Sequence, residues 1–143
     1  SAARDTLGAA LKRAEDMGVT FVLENIEDVE PSDRAMLCEA LGWQALELSV
    51  DTGHAHYAHG STGAPPVDFY IRAAGARLGH IHLQDADGFA DRHWQIGHGT
   101  ILWPSVFAAI AQTGANPRLI LELRDKAGVL PSAQYLKSLG LAE

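Results

Sequence analysis

Residues 80–99 of the chain read HIHLQDADGFADRHWQIGHG. The stretch begins as a strand, in which Ile81 and Leu83 alternate with histidines, and it continues as a long polar loop. It contains four of the seven histidines of the chain and three of its aspartates. Imidazole nitrogens and carboxylate oxygens are the usual ligands of borderline divalent metal ions. The stretch therefore predicts a metal site where a strand passes into a loop.

The composition is that of an ordinary globular protein, with 47% hydrophobic and 20% charged residues in a chain of 143. We expect one domain over residues 1–143. The net charge of −7 and the lack of a basic run argue against a nucleic-acid partner, because such partners are held by lysine and arginine. No apolar run approaches the roughly 20 residues of a membrane helix. The chain has no apolar signal region and a single cysteine, Cys38. These two features indicate a cytoplasmic protein.

Apolar periodicity and turn residues predict five helices that alternate with four strands. The helices are expected at 2–17, 31–41, 67–74, 104–113 and 131–139, and the strands at 19–24, 45–51, 77–83 and 118–123. Residues 52–59, rich in histidine, are predicted to form a loop. Alternation of this kind is typical of parallel strands with helical crossovers. The lack of a glycine-rich nucleotide fingerprint favours a barrel over an open, doubly wound sheet.

One face of each predicted strand carries, at or near its end, a residue that can bind a metal or transfer a proton. The alternate positions are apolar, so the other face is predicted to pack on helices. In a barrel the carboxyl ends of the strands converge on one axis, where barrel enzymes hold their active sites. The four residues are Glu24, Asp51, His82 and Glu122.

A complete (β/α)8 barrel has eight strands and about 250 residues. Four strands are predicted here, so we expect an α/β half-barrel with two open edges. The chain is either part of a longer protein or a unit that self-associates to complete the ring. Its start directly in a predicted helix favours the first alternative.

Four motifs at the predicted strand ends, taken in order, resemble the xylose-isomerase-like barrel superfamily. This superfamily contains sugar phosphate isomerases and epimerases, and also the endonuclease IV type of apurinic endonucleases. The resemblance covers nearly the whole chain and implies the C-terminal half of a TIM barrel. The motifs are Glu24-Asn25, then Asp51-Thr52-Gly53-His54-Ala55-His56, then His80-Ile81-His82-Leu83-x-Asp85 followed by Asp91-Arg92-His93-x-x-Ile96-Gly97-x-Gly99, and finally Leu121-Glu122-Leu123.

The resemblance implies that Glu24, Asp51, His82 and Glu122 hold a divalent metal ion, Mn²⁺ or Zn²⁺, with Mg²⁺ and Co²⁺ as alternatives. Glu24 and Glu122 would also move the proton in the isomerisation or epimerisation of a sugar or sugar phosphate, next to a carbonyl polarised by the metal. His54 is expected to contact the substrate.

The endonuclease pattern implies a different chemistry, in which His54, Asp91 and His93 are additional ligands of a zinc cluster. The chain would then be an apurinic-site endonuclease or another phosphodiesterase. A non-catalytic half-barrel is the third alternative. The retained set of potential ligands argues against a purely structural role.

Several of these residues also have structural interpretations. Glu24 and Glu122 could pair with an arginine such as Arg124, and Asp51 could cap a turn with the two residues that follow it. His80 lies one layer deeper on its strand. We expect it to be packed and hydrogen-bonded and not a metal ligand.

The tryptophans and two departures from common family usage bear on the substrate. Trp94, in the polar loop, is a candidate for packing on a sugar, whereas Trp43 and Trp103 are predicted to be core residues. Gln84 stands where lysine or asparagine is frequent, and His98 stands where glutamate is frequent between the glycines. These two departures leave the identity of the substrate open.

Overall fold

The computed structural model describes residues 2–142. In this part of the chain no helix is long and apolar enough to cross a bilayer. Short 3-10 turns precede β3 and α6. The helices are α1 (Ala2–Met17), α2 (Asp33–Leu41), α3 (Thr52–Thr62), α4 (Val67–Ala74), α5 (Trp103–Thr113) and α6 (Val129–Ser138), and the strands are β1 (Phe21–Glu24), β2 (Leu46–Asp51), β3 (Leu78–Leu83) and β4 (Arg118–Leu121).

The four strands form one parallel sheet in the order β1-β2-β3-β4. Each strand therefore lies next to its neighbour in sequence, and helices provide the crossovers, as the alternating pattern predicts. In the register of the sheet Asp51 lies opposite His82, and Glu24 lies opposite Ser49. The carboxyl ends of all four strands consequently meet at one edge of the sheet.

The core lies between the central strands and the helices that cover them. Leu48, Val50 and Ile81 are fully buried on β2 and β3, against Tyr70 and Ile71 of α4. Burial of one such side chain stabilises the fold by about 1.5–3 kcal/mol relative to its exposure. This packed face fixes the strand register and with it the position of each strand end.

The outer strands depart from the predicted burial of their apolar face. Phe21 on β1 is 46% exposed and Leu119 on β4 is 41% exposed. Both strands are short and have a neighbour on one side only within the described chain. The expectation of full packing on helices is therefore wrong for the two edges and holds for the centre.

Residues 52–59 are helical, so the prediction of a loop there is wrong. The carboxylate of Asp51 accepts the backbone N–H of His54 at 2.7 Å and caps the start of α3. Gly63, with a left-handed backbone, ends the helix. Ala55 and Ala58 are buried against the core, although the segment has no marked amphipathic period. Capping and tertiary packing thus outweigh the weak helical pattern.

Candidate metal centre

The four predicted metal ligands lie together at the carboxyl edge of the sheet. Asp51 ends β2, Glu24 ends β1, and Glu122 follows β4. His82 Nδ1 lies 2.7 Å from a carboxylate oxygen of Glu24 and 3.3 Å from one of Glu122. Asp51, His82 and Glu122 each offer a ligand atom within 4.8 Å of the others. We call these four side chains the strand-end cluster.

His82 Nδ1 is a buried atom that makes no hydrogen bond within residues 2–142. The two carboxylate oxygens beside it lie at contact distance but outside hydrogen-bond geometry. A buried polar atom without a partner is rare, because it costs about 1–3 kcal/mol. Coordination of a cation would satisfy this nitrogen. One imidazole and three carboxylates also form a donor set that suits Zn²⁺, Mn²⁺ or Mg²⁺, so the residues present fit a divalent metal ion.

The charge of the strand-end cluster is strongly negative. In the described chain the basic groups within 3.9 Å of the Glu24 and Glu122 carboxylates are histidine nitrogens, and neither glutamate pairs with Arg124. The alternative in which an arginine neutralises these glutamates is therefore wrong. Carboxylates held this close repel one another unless a proton or a cation lies between them.

Asp51 is fully buried and is held from both sides. Its backbone N–H donates to the carboxamide oxygen of Asn25 at 2.7 Å, and the Asn25 amide nitrogen donates to the Asp51 carbonyl at 3.1 Å. Burial raises the pKa of the Asp51 carboxyl, and the hydrogen bonds from His54 and Gln84 oppose that effect only in part. Asp51 thus both caps a helix and belongs to the strand-end cluster.

His54, Asp91 and His93 form a second group of potential ligands. Oδ1 of Asp91 lies 3.7 Å from His54 Nε2 and 3.1 Å from His93 Nε2. The carbonyl of Asn25 can only accept, so His54 Nδ1, at 2.9 Å, is the protonated nitrogen and Nε2 faces Asp91. Burial lowers the pKa of His54, but the carboxylates led by Asp51, together with the Asn25 carbonyl, outweigh it and the pKa is raised.

His93 is the single non-glycine residue of the described chain with a positive φ, at 51°. Such a backbone is sterically disfavoured, so neighbouring groups must hold it. Its N–H donates to the Gln84 side-chain oxygen at 2.7 Å, and its carbonyl accepts the N–H of Arg124 at 3.0 Å. The ring in turn donates through Nδ1 to the carbonyl of Glu122 at 3.1 Å. The strained backbone therefore fixes the ring between the loop and the end of β4.

Gln84 connects the strand-end cluster to the second group of potential ligands. The sequence showed only that glutamine is unusual at this position and did not predict this role. Its buried amide nitrogen lies 3.1 Å from Asp51 and 3.2 Å from Asp91. Burial raises the pKa of Asp91, but this hydrogen bond and the nearby histidines outweigh it and the pKa is lowered. A Cβ at position 53 would lie 2.2 Å from the Gln84 side chain, so Gly53 leaves the space that the amide fills.

Arg34 is a second residue that the sequence did not single out. Its buried guanidinium donates to the carbonyls of Leu23 at 3.0 Å and Ser49 at 2.8 Å, and it also pairs with Asp28. These carbonyls belong to β1 and β2 next to the strand-end cluster. Arg34 therefore ties the two strands together beneath the site, and no local pattern in the sequence marks it.

His80 makes the hydrogen bond expected of a residue one layer below the site. The hydroxyl of Ser49 lies 3.0 Å from His80 Nδ1 and 3.1 Å from Glu24, so it links the deeper histidine to the strand-end cluster. Burial lowers the pKa of His80, and the neighbouring His82 lowers it further. His80 also lies close enough to Glu24 and His82 to form a further group of possible ligands.

The tryptophans divide as expected between core and loop. Trp103 is fully buried and Trp43 packs partly buried against the core, which confirms both as core residues. Trp94 lies in the polar loop, where the Arg92 guanidinium stands 5.2 Å above its ring. Its contact with a substrate stays a prediction.

Asp85 belongs to the polar loop but to neither ligand group. The carboxylate is fully buried and accepts the backbone N–H groups of Ala86 at 3.0 Å, Gly97 at 2.8 Å and Ile101 at 3.3 Å. It also accepts the indole N–H of Trp103 at 3.0 Å. Four donors from the loop and its flanking helix therefore surround this aspartate, which holds the loop in its observed path.

Known proteins share this architecture. Residues 2–140 match the family model described as "Xylose isomerase-like TIM barrel". The uncharacterized protein MJ1311 of Methanocaldococcus jannaschii is 25% identical over an alignment length of 140 residues, and the match covers 92% of this chain and 46% of that protein. The chain thus spans about half the length of this relative.

Two solved structures show the same arrangement. A D-tagatose 3-epimerase-like protein superposes with a TM-score of 0.81 at 23% identity, over 94% of this chain and 51% of that one. The TTHB071 protein from Thermus thermophilus, in a structure obtained by soaking with ZnCl₂, gives a TM-score of 0.71 at 26% identity, over 94% and 50% of the two chains. The resemblance inferred from the four motifs is confirmed. The chain belongs to the xylose isomerase-like TIM-barrel family and contains four of its parallel strands with their helices.

Proposed function

We propose that the chain carries the metal-dependent site of a sugar or sugar phosphate isomerase or epimerase. The observation that carries this proposal is the convergence of Glu24, Asp51, His82 and Glu122 at the ends of four parallel strands. The fold shared with a D-tagatose 3-epimerase-like protein is in keeping with that chemistry. Carboxylate and imidazole ligands leave Mn²⁺ and Zn²⁺ as the first candidates, with Mg²⁺ and Co²⁺ as alternatives.

Glu24 and Glu122 are the proposed proton-transfer residues. When bound, a divalent cation supplies the positive charge that stabilises a developing oxyanion. The two glutamates approach His82 from the two outer strands, at 2.7 and 3.3 Å. One carboxylate gains the proton from the carbon next to the carbonyl, and the other, protonated beforehand, returns a proton from its own side. Return to the opposite face of the carbon inverts its configuration.

The second group of side chains is proposed to position the sugar. His54 and His93 flank Asp91, and their ring nitrogens and its carboxylate can bind hydroxyl groups as donors and acceptors. Gln84 holds Asp91 and Asp51 at a fixed separation through one amide nitrogen. Reacting atoms held in one geometry gain much of their rate from orientation alone.

The exposed edges of the sheet favour a further half-barrel in the working protein. Phe21 and Leu119 are each more than 40% exposed on the outer strands. Pairing with additional strands, from the same protein or from a second copy of this chain, would cover both residues and leave no open edge. Light scattering of the purified chain tests the second arrangement: a dimer supports it and a monomer contradicts it.

Exchange of the carbon-bound proton tests the proposed activity. The protein is incubated in D₂O with Mn²⁺ or Zn²⁺ and a panel of ketoses and ketose phosphates, and deuterium incorporation beside the carbonyl is followed by NMR. We expect exchange that EDTA abolishes and that Glu24→Gln or Glu122→Gln removes. Glu39→Gln, an exposed position on α2, is the matched control and should leave exchange unchanged. A metal-loaded protein that exchanges no substrate of the panel would contradict the proposal.

A second candidate is hydrolysis of a phosphodiester, such as the backbone at an apurinic site. The group of His54, Asp91 and His93 beside the strand-end cluster favours it, because several metal ions can act together on one phosphate. Incision of an abasic DNA duplex that disappears with a chelator would support this candidate. Elemental analysis separates the two, since one ion per chain supports the isomerase and two or three zinc ions support the phosphodiesterase.

A further inference from the structure

Glu47 differs from every other partly or fully buried carboxylate of residues 2–142, because it has neither a hydrogen bond nor a basic group in contact with it. It lies on β2, on the same face of the sheet as Ser49 and Asp51. Its carboxylate leans over β3, where a Cβ at Gly79 would overlap with it. A carboxylate that is partly withdrawn from water is unfavourable without a cationic partner. The position of Glu47 therefore favours a cation from outside the described chain.

This inner face of the sheet carries the strand-end cluster and, below it, apolar residues that are open to solvent. Val22 on β1 is 42% exposed and Ile120 on β4 is 40% exposed. Arg118, at the start of β4, lies on the same face because it alternates with Ile120. Its positive charge acts on this face, since it adds to burial and to His82 in lowering the pKa of His80. Below the strand-end cluster the inner face therefore combines exposed apolar side chains with one negative and one positive charge.

Glu47 and Arg118 lie at the same depth below the metal centre. Asp51 and Glu122 meet in the strand-end cluster, and each of the two charged residues lies four positions before one of them. The irregularity in the pairing of β2 with β3 leaves out Gly79 of β3 and no residue of β2, so it does not disturb this count. At about 3.3 Å per residue, both charges lie about 13 Å along their strands below the site. In a barrel the side chains of alternate strands share a layer, and β2 and β4 are alternate strands.

The two edges of the sheet are complementary as well. At one edge α1 and β1 form an apolar cavity of about 130 Å³, whose lining includes Leu7, Phe21 and Leu23. At the other edge Leu119, on the outward face of β4, is 41% exposed. All neighbouring strands are parallel, so β1 of one chain can add beside β4 of another in the same sense. Leu119 would then lie next to the apolar cavity.

We propose that the inner face and the two edges bind a second copy of this chain, and that Glu47 and Arg118 of both copies form one layer of charges beneath the metal centre. The inference rests on the proposed completion of the barrel and names the partner and the residues that pair. In the eight-stranded ring glutamate and arginine alternate around the layer, so the layer is neutral. The two strand-end clusters then open at one mouth, and residues of each copy face the metal centre of the other.

Sedimentation equilibrium of charge-reversed variants in buffer with Mn²⁺ tests the proposal. We expect the unaltered chain to form a dimer, and Glu47→Arg or Arg118→Glu to weaken it by about tenfold or more, because all four charges of the layer then have the same sign. An equimolar mixture of the two variants should associate again as a heterodimer, because its layer contains two charges of each sign. Glu39→Arg, an exposed position on α2, is the matched control and should leave the dimer unchanged.

A monomeric unaltered chain would overturn the proposal, as would a dimer that both charge reversals leave intact. Circular dichroism checks that each variant folds. If Glu47→Arg does not fold, the milder Glu47→Gln decides, since it should weaken the dimer by a smaller factor and an unchanged dimer would contradict the charged layer. Association and proton exchange are separate measurements, so a dimer that exchanges no sugar contradicts the isomerase function alone. Exchange by a monomer contradicts this interface alone.

Discussion

Two fully buried aspartates lie at the carboxyl side of the two central strands, Asp51 as the last residue of β2 and Asp85 in the loop after β3, and their surroundings differ completely. The Asp51 carboxylate accepts from His54 and Gln84 and faces the other carboxylates and imidazoles of the site. Asp85 accepts four hydrogen bonds from its own loop and from Trp103. Burial and residue type are the same in both. The two aspartates differ in the groups that donate hydrogen bonds to their carboxylates. These groups decide which aspartate is available to a metal and which one is structural.

The largest effect is expected when the structural aspartate is removed. Asp85→Ala leaves four buried donors unsatisfied, and we expect a loss of about 3–5 kcal/mol in the free energy of unfolding. That is a large share of the about 5–15 kcal/mol that stabilises a typical domain. Urea denaturation followed by circular dichroism measures it.

Asp87→Ala is the control for this substitution, because Asp87 lies in the same loop and its carboxylate pairs with Arg92 near the surface. The loss of stability in the control should be much smaller. Equal losses in the two variants would contradict the structural role assigned to Asp85.

Asp51→Asn should show the opposite behaviour, with metal binding lost and the fold kept. We expect metal affinity to fall by about 100-fold or more, since removal of supporting residues alone costs about 10–100-fold. The amide oxygen still accepts the N–H of His54, so the cap of α3 remains. Competition with a chromophoric chelator measures the affinity. Unchanged affinity would remove Asp51 from the proposed site.

The pH dependence of stability in EDTA follows from the same buried carboxyl. Burial raises the pKa of Asp51 in the folded chain above its unfolded value. Protonated Asp51 therefore contributes to the free energy of unfolding. This contribution is fully present at a pH below the pKa of Asp51 in the unfolded chain, and it is lost as the pH rises through the pKa of Asp51 in the folded chain. Asp51→Asn should not show this loss in metal-free urea titrations, and an identical pH profile of the two proteins would contradict the expectation.

Gln84→Leu is expected to have an intermediate effect, because Gln84 supports the site without belonging to the strand-end cluster. Loss of its hydrogen bonds to Asp51 and Asp91 should weaken metal binding by about 10–100-fold. Gln44→Leu, at a position before β2 and away from the site, is the matched control and should bind the metal normally. Equal affinities in the two variants would show that the amide does not position the ligands.

The smallest effect is expected for Trp103→Phe, which removes one of the four donors to Asp85. We expect a loss of about 1–2 kcal/mol in the free energy of unfolding. The same substitution in an Asp85→Ala background should cost less, because the hydrogen bond is already absent. A double-mutant cycle by urea denaturation measures this coupling, and additive losses would show that the pair is not coupled.

Sequence patterns predicted the strands well because their apolar faces are continuous and their ends carry polar residues. Helix α3 was missed because its histidines and small residues have no helical period, and its start depends on the cap from Asp51. The exposure of Phe21 was missed because periodicity gives the face of a strand and not its place at an edge.

The candidate site was only partly predictable. Glu24, Asp51, His82 and Glu122 could be picked out because they end successive parallel strands, where the fold itself brings them together. The structural role of Asp85 depends on hydrogen-bond donors up to 18 residues further along the chain. A local sequence pattern cannot predict such contacts. The role of Arg34 could not be predicted for the same reason, since its guanidinium donates to carbonyls on two different strands.

Gly53 and Gln84 share a space that is too small for any side chain at position 53 while the amide is in place. Substitutions at these two positions are therefore expected to be coupled. A homologue with a shorter residue at the position of Gln84 is free to carry alanine at that of Gly53, whereas alanine beside a retained glutamine forces the amide away from Asp51 and Asp91. Evolution of this site, in nature or in a laboratory library, must change both positions together.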